Sequence, residues 1–435
     1  MKLAEIVDGA PDSALGVRMH QLARELYPLN RSLTGPGVRA TLHSVAARLP
    51  LTLHEVPSGT AAYDWTVPDE WVVRDAYVAL PDGHRLVDVK AHNLHLVGYS
   101  RPFRARMRLH DLRSHLHTLP DQPDWIPYRT SYYNDAWGFA LRHRDLQCFP
   151  EDVELDVVVD TVLQPGCLTY GECVISGETS DEVLLSTHVC HPSMANDNLS
   201  GIVLLTELGA KLAQVRPHHT YRLLFVPGTI GSIIWLSRNT DVLPRIRHGL
   251  VVTGVGGPGP LVYKQTRHGT HHVDRVAAHV VTARGGEVRP FSPWGYDERQ
   301  YNSPGFDLPV GRLTRTPHGE YPEYHTSADD LNFIRPETMA DAFDACVEIL
   351  DGLDNDTTWR NLSPWGEPQL GKRGLYPSVG GLHADSEIMA MLWVLNQSDG
   401  KRSLLDVAEL SGLPFAALRR AAAKLHAGGL LEEAS

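Results

Sequence analysis

Cysteine is scarce in this 435-residue chain: there are five, Cys148, Cys167, Cys173, Cys190 and Cys346, and no two of them form a C-x-x-C pair. An odd number without paired spacing excludes a disulfide framework and a zinc ribbon. Positive charge is short as well, with 40 Lys and Arg against 52 Asp and Glu and a net charge of −12. Proteins that neutralise phosphates draw their affinity from basic side chains that release counterions, so any nucleic-acid contact here has to be local. No apolar run approaches the ~18 residues of a membrane span. The first eight residues hold one Lys and two acids where a secretory signal would be apolar. These absences point to a cytoplasmic protein without a membrane partner. What the chain does have is 42% hydrophobic residues, enough for several globular cores, and 23 histidines. Histidine is the commonest metal ligand, so this excess is the first chemical lead.

The texture of the chain changes three times. Helical spacing of Leu15, Met19, Leu22 and Leu26, and a second helical stretch over Val38 to Leu49, open it. From 51 to 150, aromatics, prolines and short alternating runs such as Asn93-Leu94-His95-Leu96-Val97 predict a β-rich module. Between Asp181 and Leu331 short apolar runs alternate with helical patterns, which is the signature of a parallel sheet covered by helices. Pro336 opens one more amphipathic helix with Met339, Phe343, Val347 and Leu350 on one stripe. The stretch 356–374, continuing through Tyr376-Pro377-Ser378, is rich in Pro, Gly and Asn and is expected to be a linker. Residues 375–435 then carry helix-turn-helix arithmetic, with Ser403 as a cap and Ser411-Gly412-Leu413-Pro414 as the turn. That last domain has five bases against seven acids. An acidic balance disfavours DNA and favours a packing or dimerisation role, which leaves a homo-oligomer open.

Chemistry is concentrated in Leu184 to Gly201, a segment containing His188-Val189-Cys190-His191 and Asn196-Asp197-Asn198, placed where a strand ends and a helix begins. Ligands of open α/β sheets bind outside the carboxyl ends of the strands. A His at a strand end and an Asp at the next helix start can share a metal, or they can form a satisfied cap pair.

These motifs resemble the zinc aminopeptidase clan that includes bacterial leucyl aminopeptidases and glutaminyl cyclases. Within it, the chain looks like the aminopeptidase-like family with an inserted β-rich domain and a C-terminal winged-helix domain. The resemblance rests on Pro28 to Gly35, Tyr63 to Pro68, Tyr128 to Leu141, His188 to Gly201, Thr229 to Ser232, Asp297 to Tyr301 and Glu320 to Leu331. It implies an aminopeptidase-like mixed sheet flanked by helices, built from 1–50 and 151–355, with 51–150 inserted and 375–435 appended as a winged-helix-like domain. It also implies zinc, held by His188, by Asp197 as the bridging carboxylate and by His325, with His191 in reserve. Tyr324 falls where the clan places a hydroxyl against a developing oxyanion, and Asp297 and Glu323 are candidate acids or bases.

Two acids of the family pattern are missing. Gly228 stands where a Glu precedes Thr-Ile-Gly-Ser, and Gly257 lies in the run where an Asp follows a Gly. With two carboxylates fewer, a site meant for two zinc ions is expected to keep one at most. The glycines also leave room: Gly228, Thr229 and Gly257 at the strand ends and Arg299 beyond them are candidate contacts for a substrate oxyanion or carboxylate. The resemblance implies an amide hydrolase for a small aminoacyl or short peptide substrate of specialised bacterial metabolism. A non-hydrolytic or metal-independent enzyme, and a non-catalytic binding protein, stay open as alternatives.

Overall fold

Along the strand Glu182–His188 every residue is buried, and successive side chains enter different cores: Val183 and Leu185 join one, Leu184 the other. The neighbouring strands repeat this, with Leu223 and Phe225 on the first side and Leu224 and Val226 on the second. Strands that are apolar on both faces must be covered on both faces. In the computed structural model, which describes residues 3–9, 12–375 and 386–434, this is what surrounds them.

The sheet has eight strands: β1 (Thr52–Pro57), β2 (Cys167–Ile175), β3 (Glu182–His188), β4 (Thr220–Val226), β5 (Ile246–Val252), β6 (Leu261–Lys264), β7 (Glu287–Arg289) and β8 (Val310–Arg315). Their spatial order is β1-β2-β4-β3-β5-β8-β6-β7. The centre, β4-β3-β5-β8, is parallel; β1 is antiparallel to β2, β2 to β4 and β6 to β8, while β7 lies parallel to β6. Helices α1 (Leu15–Leu26), α2 (Pro36–Ala46), α3 (Gly201–Leu212), α5 (His272–Ala283) and α6 (Pro336–Asn355) share the first core, through Met19, Leu42, Leu204, Val276 and Phe343. The second core lies under α4 (Ile230–Arg238), which contributes Ile233 and Trp235, and under a separate four-stranded sheet that contributes Val78 and Val157. Leu204 is fully buried, so its truncation to Ala would cost about 3 kcal/mol.

Two boundaries differ from the sequence reading. The strand Thr52–Pro57 was expected inside the β-rich module, yet it pairs with Cys167–Ile175 at the edge of the main sheet. The second sheet joins Glu70–Ala79 to Leu155–Gln164, so its last strand lies beyond residue 150. Both follow from pairing partners far away in sequence, which local alternation does not specify.

At the C-terminal end, α7 (Ser386–Gln397), α8 (Leu404–Ser411) and α9 (Phe415–Ala427) accompany a three-stranded sheet. Its middle strand is Thr358–Asn361, paired with Asp399–Ser403 on one side and Leu431–Glu433 on the other. Part of the expected linker 356–374 is thus the central strand of the winged-helix sheet; Tyr376, Pro377 and Ser378 lie outside the described residues. Ser403 caps α8 as expected, accepting from Asp406 N at 3.3 Å while the Asp406 carboxylate accepts Ser403 N at 2.8 Å. Leu404, Leu418 and Leu425 belong to the same apolar cluster as α6. The Arg419 guanidinium donates to buried Asp351 of α6 at 3.0 Å and to Asp8 at 3.0 Å.

Candidate active site

The carboxyl ends of β4, β3 and β5 lie side by side, and the chain passes from β3 to β4 on one side and then from β4 to β5 on the other. This switch point opens the crevice in which an α/β sheet places its ligands. His188 ends β3, Gly228 follows β4, and Thr253 to Gly257 follow β5.

Between β3 and α3 the backbone departs from regular helix at Asp197 and Asn198, and the peptide joining them is cis. Asn198 holds this turn by donating to Thr187 Oγ1 at 2.7 Å and to His188 O at 3.0 Å. Gly201 then starts α3 so close to the strand ends that a Cβ would lie 2.6 Å from Val252 O. Any side chain there would push the helix off the sheet and carry Asp197 with it.

Asp197 is completely buried, and three imidazoles converge on it. His188 Nε2 lies 2.9 Å from Oδ1, His325 Nε2 3.0 Å from Oδ2, and His191 Nδ1 3.2 Å from Oδ2. Burial by itself would raise the Asp197 pKa, but the imidazoles, His191 foremost, hold it well below the usual carboxylate range. Burial likewise opposes protonation of His191, and the Asp197 charge overrides it and holds the His191 pKa well above its ordinary value. For His325 burial prevails and lowers it. The donor atoms of His188, His191 and Asp197 lie within 4.8 Å of one another, as ligands of one ion would.

Several sequence motifs turn out to support this cluster. Arg31, fully buried, donates from Nε to His191 O at 2.8 Å and from Nη1 to Leu26 O at 2.6 Å. Tyr128 N donates to His325 O at 2.8 Å, and its ring packs on both His191 and His325. Thr253 Oγ1 lies 3.4 Å from His188 Nδ1. Asp329 went unnoticed in the sequence: it is fully buried and accepts Asn196 N at 2.6 Å and Asp197 N at 2.9 Å. Burial raises its pKa to about 7. The only sequence signal was its place four residues after His325 within the motif Glu320 to Leu331.

The remaining candidates divide. Tyr324 stacks on His325 with ring centroids 3.9 Å apart, and the Tyr296 ring stacks on His188 at 5.1 Å. The side chain of Glu323 makes no hydrogen bond or ion pair to the cluster among the described residues, and Glu320 pairs with Arg289 instead. Gly228 N donates to Cys190 Sγ at 3.3 Å, and a Cβ on Gly228 would meet His188 Cβ at 3.6 Å, so the glycine adjoins the cluster. Thr229 has φ +63°, and its N–H and the Ser232 hydroxyl both donate to Asp297 Oδ1, at 2.7 and 3.0 Å. The start of α4 is therefore already occupied by a protein carboxylate, which corrects the expectation that Gly228 and Thr229 offer a free oxyanion site there. Asp297 Oδ2 is buried without a partner, and burial raises the Asp297 pKa. Arg299 donates to Thr229 Oγ1 at 3.3 Å and pairs with no carboxylate among the described residues. Gly257 N donates to Asn196 Oδ1 at 2.9 Å, and Phe333 fills the space beside it.

This fold is that of the zinc aminopeptidases. Bacillus subtilis aminopeptidase, a zinc enzyme, superposes with a TM-score of 0.56 over 79% of this chain and 95% of its own, at 13% identity. A peptidase M28 precursor from Shewanella amazonensis gives 0.55 over 81% and 95%, also at 13% identity. The particular family is narrower: the chain belongs to the domain family of unknown function DUF4910, whose model matches residues 20–356, followed by a winged helix-turn-helix over residues 357–433. A provisionally named polysaccharide biosynthesis protein with an aminopeptidase-like domain from Clostridium acetobutylicum is 46% identical over 97% of both chains. The crystal structure of a provisionally named Clostridium acetobutylicum peptidase matches with a TM-score of 0.90 at 44% identity, over 96% of each chain. No helix of the described residues is long and apolar enough to cross a membrane.

Proposed function

We propose that the protein is an amide hydrolase of the aminopeptidase-like kind, with a site for a single zinc ion and a small aminoacyl or short peptide-like substrate. The observation that carries this reading is the convergence of His188, His191 and His325 on the one buried carboxylate, Asp197. The donor set fits one ion: two imidazoles and a carboxylate within 4.8 Å make the three-ligand set of a catalytic zinc, with a position left open. It does not fit two ions, because Gly228 and Gly257 supply no charge and Asp197 alone would face four positive charges. A bound zinc ion would act as a Lewis acid on the substrate carbonyl and the attacking water.

In this reading Asp297, whose Oδ2 is buried without a partner and whose pKa is raised by burial, takes the proton of the attacking water in place of the carboxylate lost at 228. The Tyr324 hydroxyl, its ring stacked on His325, donates to the carbonyl oxygen as it gains charge. The name of the Clostridium relative supports a substrate from carbohydrate assembly. The missing carboxylates favour one second reading, a non-hydrolytic or metal-independent enzyme on the same scaffold.

Elemental analysis of protein purified without chelators, paired with hydrolysis of aminoacyl amides, separates the two. About one zinc per chain, with activity lost in His188→Ala, is the expected result. Metal-free protein as active as the zinc-loaded protein, or His188→Ala as active as wild type, would overturn it.

A further inference from the structure

Behind the aromatic wall of the site lies a buried charge chain that the hydrolase reading does not use. Lys264 of β6 donates to Glu298 Oε1 at 2.8 Å, and Arg312 of β8 donates to the same oxygen at 3.3 Å. Glu298 Oε2 accepts Tyr296 N at 3.0 Å. All three charged residues are almost completely buried, so two cations share one carboxylate. The chain ends on His318, where Arg312 Nη1 donates to the ring Nδ1 at 3.3 Å.

That last bond decides the imidazole's tautomer. A guanidinium has only donors and does not deprotonate, so the nitrogen facing it must carry the lone pair. The proton of the neutral ring is then on Nε2. Arg312 and Lys264, against Glu298, already leave an excess of positive charge, and an imidazolium would add to it. Burial first, and Arg312 second, draw the His318 pKa down to about 4, with Glu298 and Asp197 pulling the other way. The ring is therefore neutral at pH 7.

His318 Nε2 has no partner among the described residues and is not among the sealed-off atoms. The ring lies 5.0 Å from Tyr296, 6.2 Å from Tyr324 and 6.0 Å from the largely exposed Trp294. Tyr296 stacks on His188 and Tyr324 on His325, so one aromatic ring separates His318 from each of those histidines. We propose that His318 is a substrate-binding residue whose Nε2–H donates to an uncharged oxygen acceptor, an amide carbonyl, between the Tyr296, Tyr324 and Trp294 rings. Arg312 and Glu298 are positioning residues that keep the donor on that nitrogen, as the partner of one ring nitrogen generally fixes the role of the other.

The choice of an amide as ligand rests on the hydrolase reading; the tautomer does not. Nitrogen-15 spectra of histidine-labelled protein, with His318 assigned by its loss in His318→Gln, test both at pH 7. The expected pattern is a neutral ring protonated at Nε2, whose signal moves on adding L-leucinamide and not on adding 3-methylbutylamine, which lacks the carbonyl. An Nδ1–H ring, an imidazolium, equal responses to the two probes, or no response to leucinamide would each overturn the proposal. With an aminoacyl p-nitroanilide, His318→Ala is expected to raise KM about 10-fold with kcat little changed, and His318→Gln, which keeps an N–H donor, to recover most of it. Equal KM in wild type and His318→Ala would count against it. Wild-type protein that hydrolyses no aminoacyl amide would remove the hydrolase reading, and the spectra would still decide the His318 donor.

Discussion

Asp329 holds Asp197 from behind: its two oxygens accept the N–H groups of Asn196 and Asp197 at 2.6 and 2.9 Å, so one buried carboxylate fixes the backbone that aims another. In Asp329→Asn the amide offers one oxygen and one NH2 group, and one of the two backbone donors faces another donor. A buried unsatisfied group costs roughly 1 to 3 kcal/mol. The variant should melt lower and bind zinc about 10-fold more weakly, the lower end of what partners behind metal ligands contribute. Unchanged melting and unchanged zinc affinity would remove the supporting role.

The two glycines should respond differently to restoration of a carboxylate. A Cβ at Gly228 meets Cys190 Sγ at 3.4 Å and His188 Cβ at 3.6 Å, ordinary contact distances, whereas at Gly257 it meets Phe333 Cε1 at 3.1 Å. Gly228→Glu should fold normally and bind zinc more tightly than wild type. Gly257→Asp should lose about 1 to 3 kcal/mol through overpacking. Urea titrations and zinc content check both, and equal destabilisation of the two variants would contradict the packing argument.

The helix that would read DNA in a winged helix has its charges committed elsewhere. Arg419 and Arg420 both bind Asp8, Arg419 also binds Asp351, and Lys424 pairs with Glu387. The protein should give no DNA shift even at low salt, where phosphate contacts are strongest. Arg419→Ala should instead destabilise the protein by ~3 kcal/mol, because Asp351 is left buried and unpaired. A salt-sensitive DNA complex, or an unaffected Arg419→Ala, would reverse this assignment.

Asp351 also sets a pH dependence. Burial outweighs Arg419 and raises its pKa from 3.8 to about 6, so the folded chain holds this proton more tightly than the unfolded one. Its contribution is fully present below pH ~4 and is lost as pH rises to about 6, a change of roughly 2 kcal/mol. Denaturation curves between pH 4 and 7 should show this fall in wild type and lack it in Asp351→Asn. Parallel curves for the two proteins would rule it out.

His188 and Asp197 were legible because they sit at a strand end and the next helix start, where a ligand site belongs, whereas His325, in a turn between β8 and α6, was legible only through the resemblance of its motif. His191 was visible only as a reserve: its place on Asp197 depends on Arg31 gripping its carbonyl from 160 residues away. Asp329 and His318 were not legible, since one acts through backbone N–H groups and the other through Arg312 of a neighbouring strand. The strand Thr358–Asn361 was hidden for a similar reason, being four residues long with both partners far along the chain.

By itself the sequence determined the helix-covered parallel sheet and the helical C-terminal domain, and through its family resemblance the absence of two expected carboxylates and a short roster of candidate metal ligands. These are properties of local periodicity and of which side chains exist at all. Tertiary structure decided which of them meet: that three imidazoles share one carboxylate, that Asp297 fills the start of α4, and that the winged helix spends its arginines on the core. Contacts across tens or hundreds of residues depend on how the sheet and helices pack, and no local pattern encodes that.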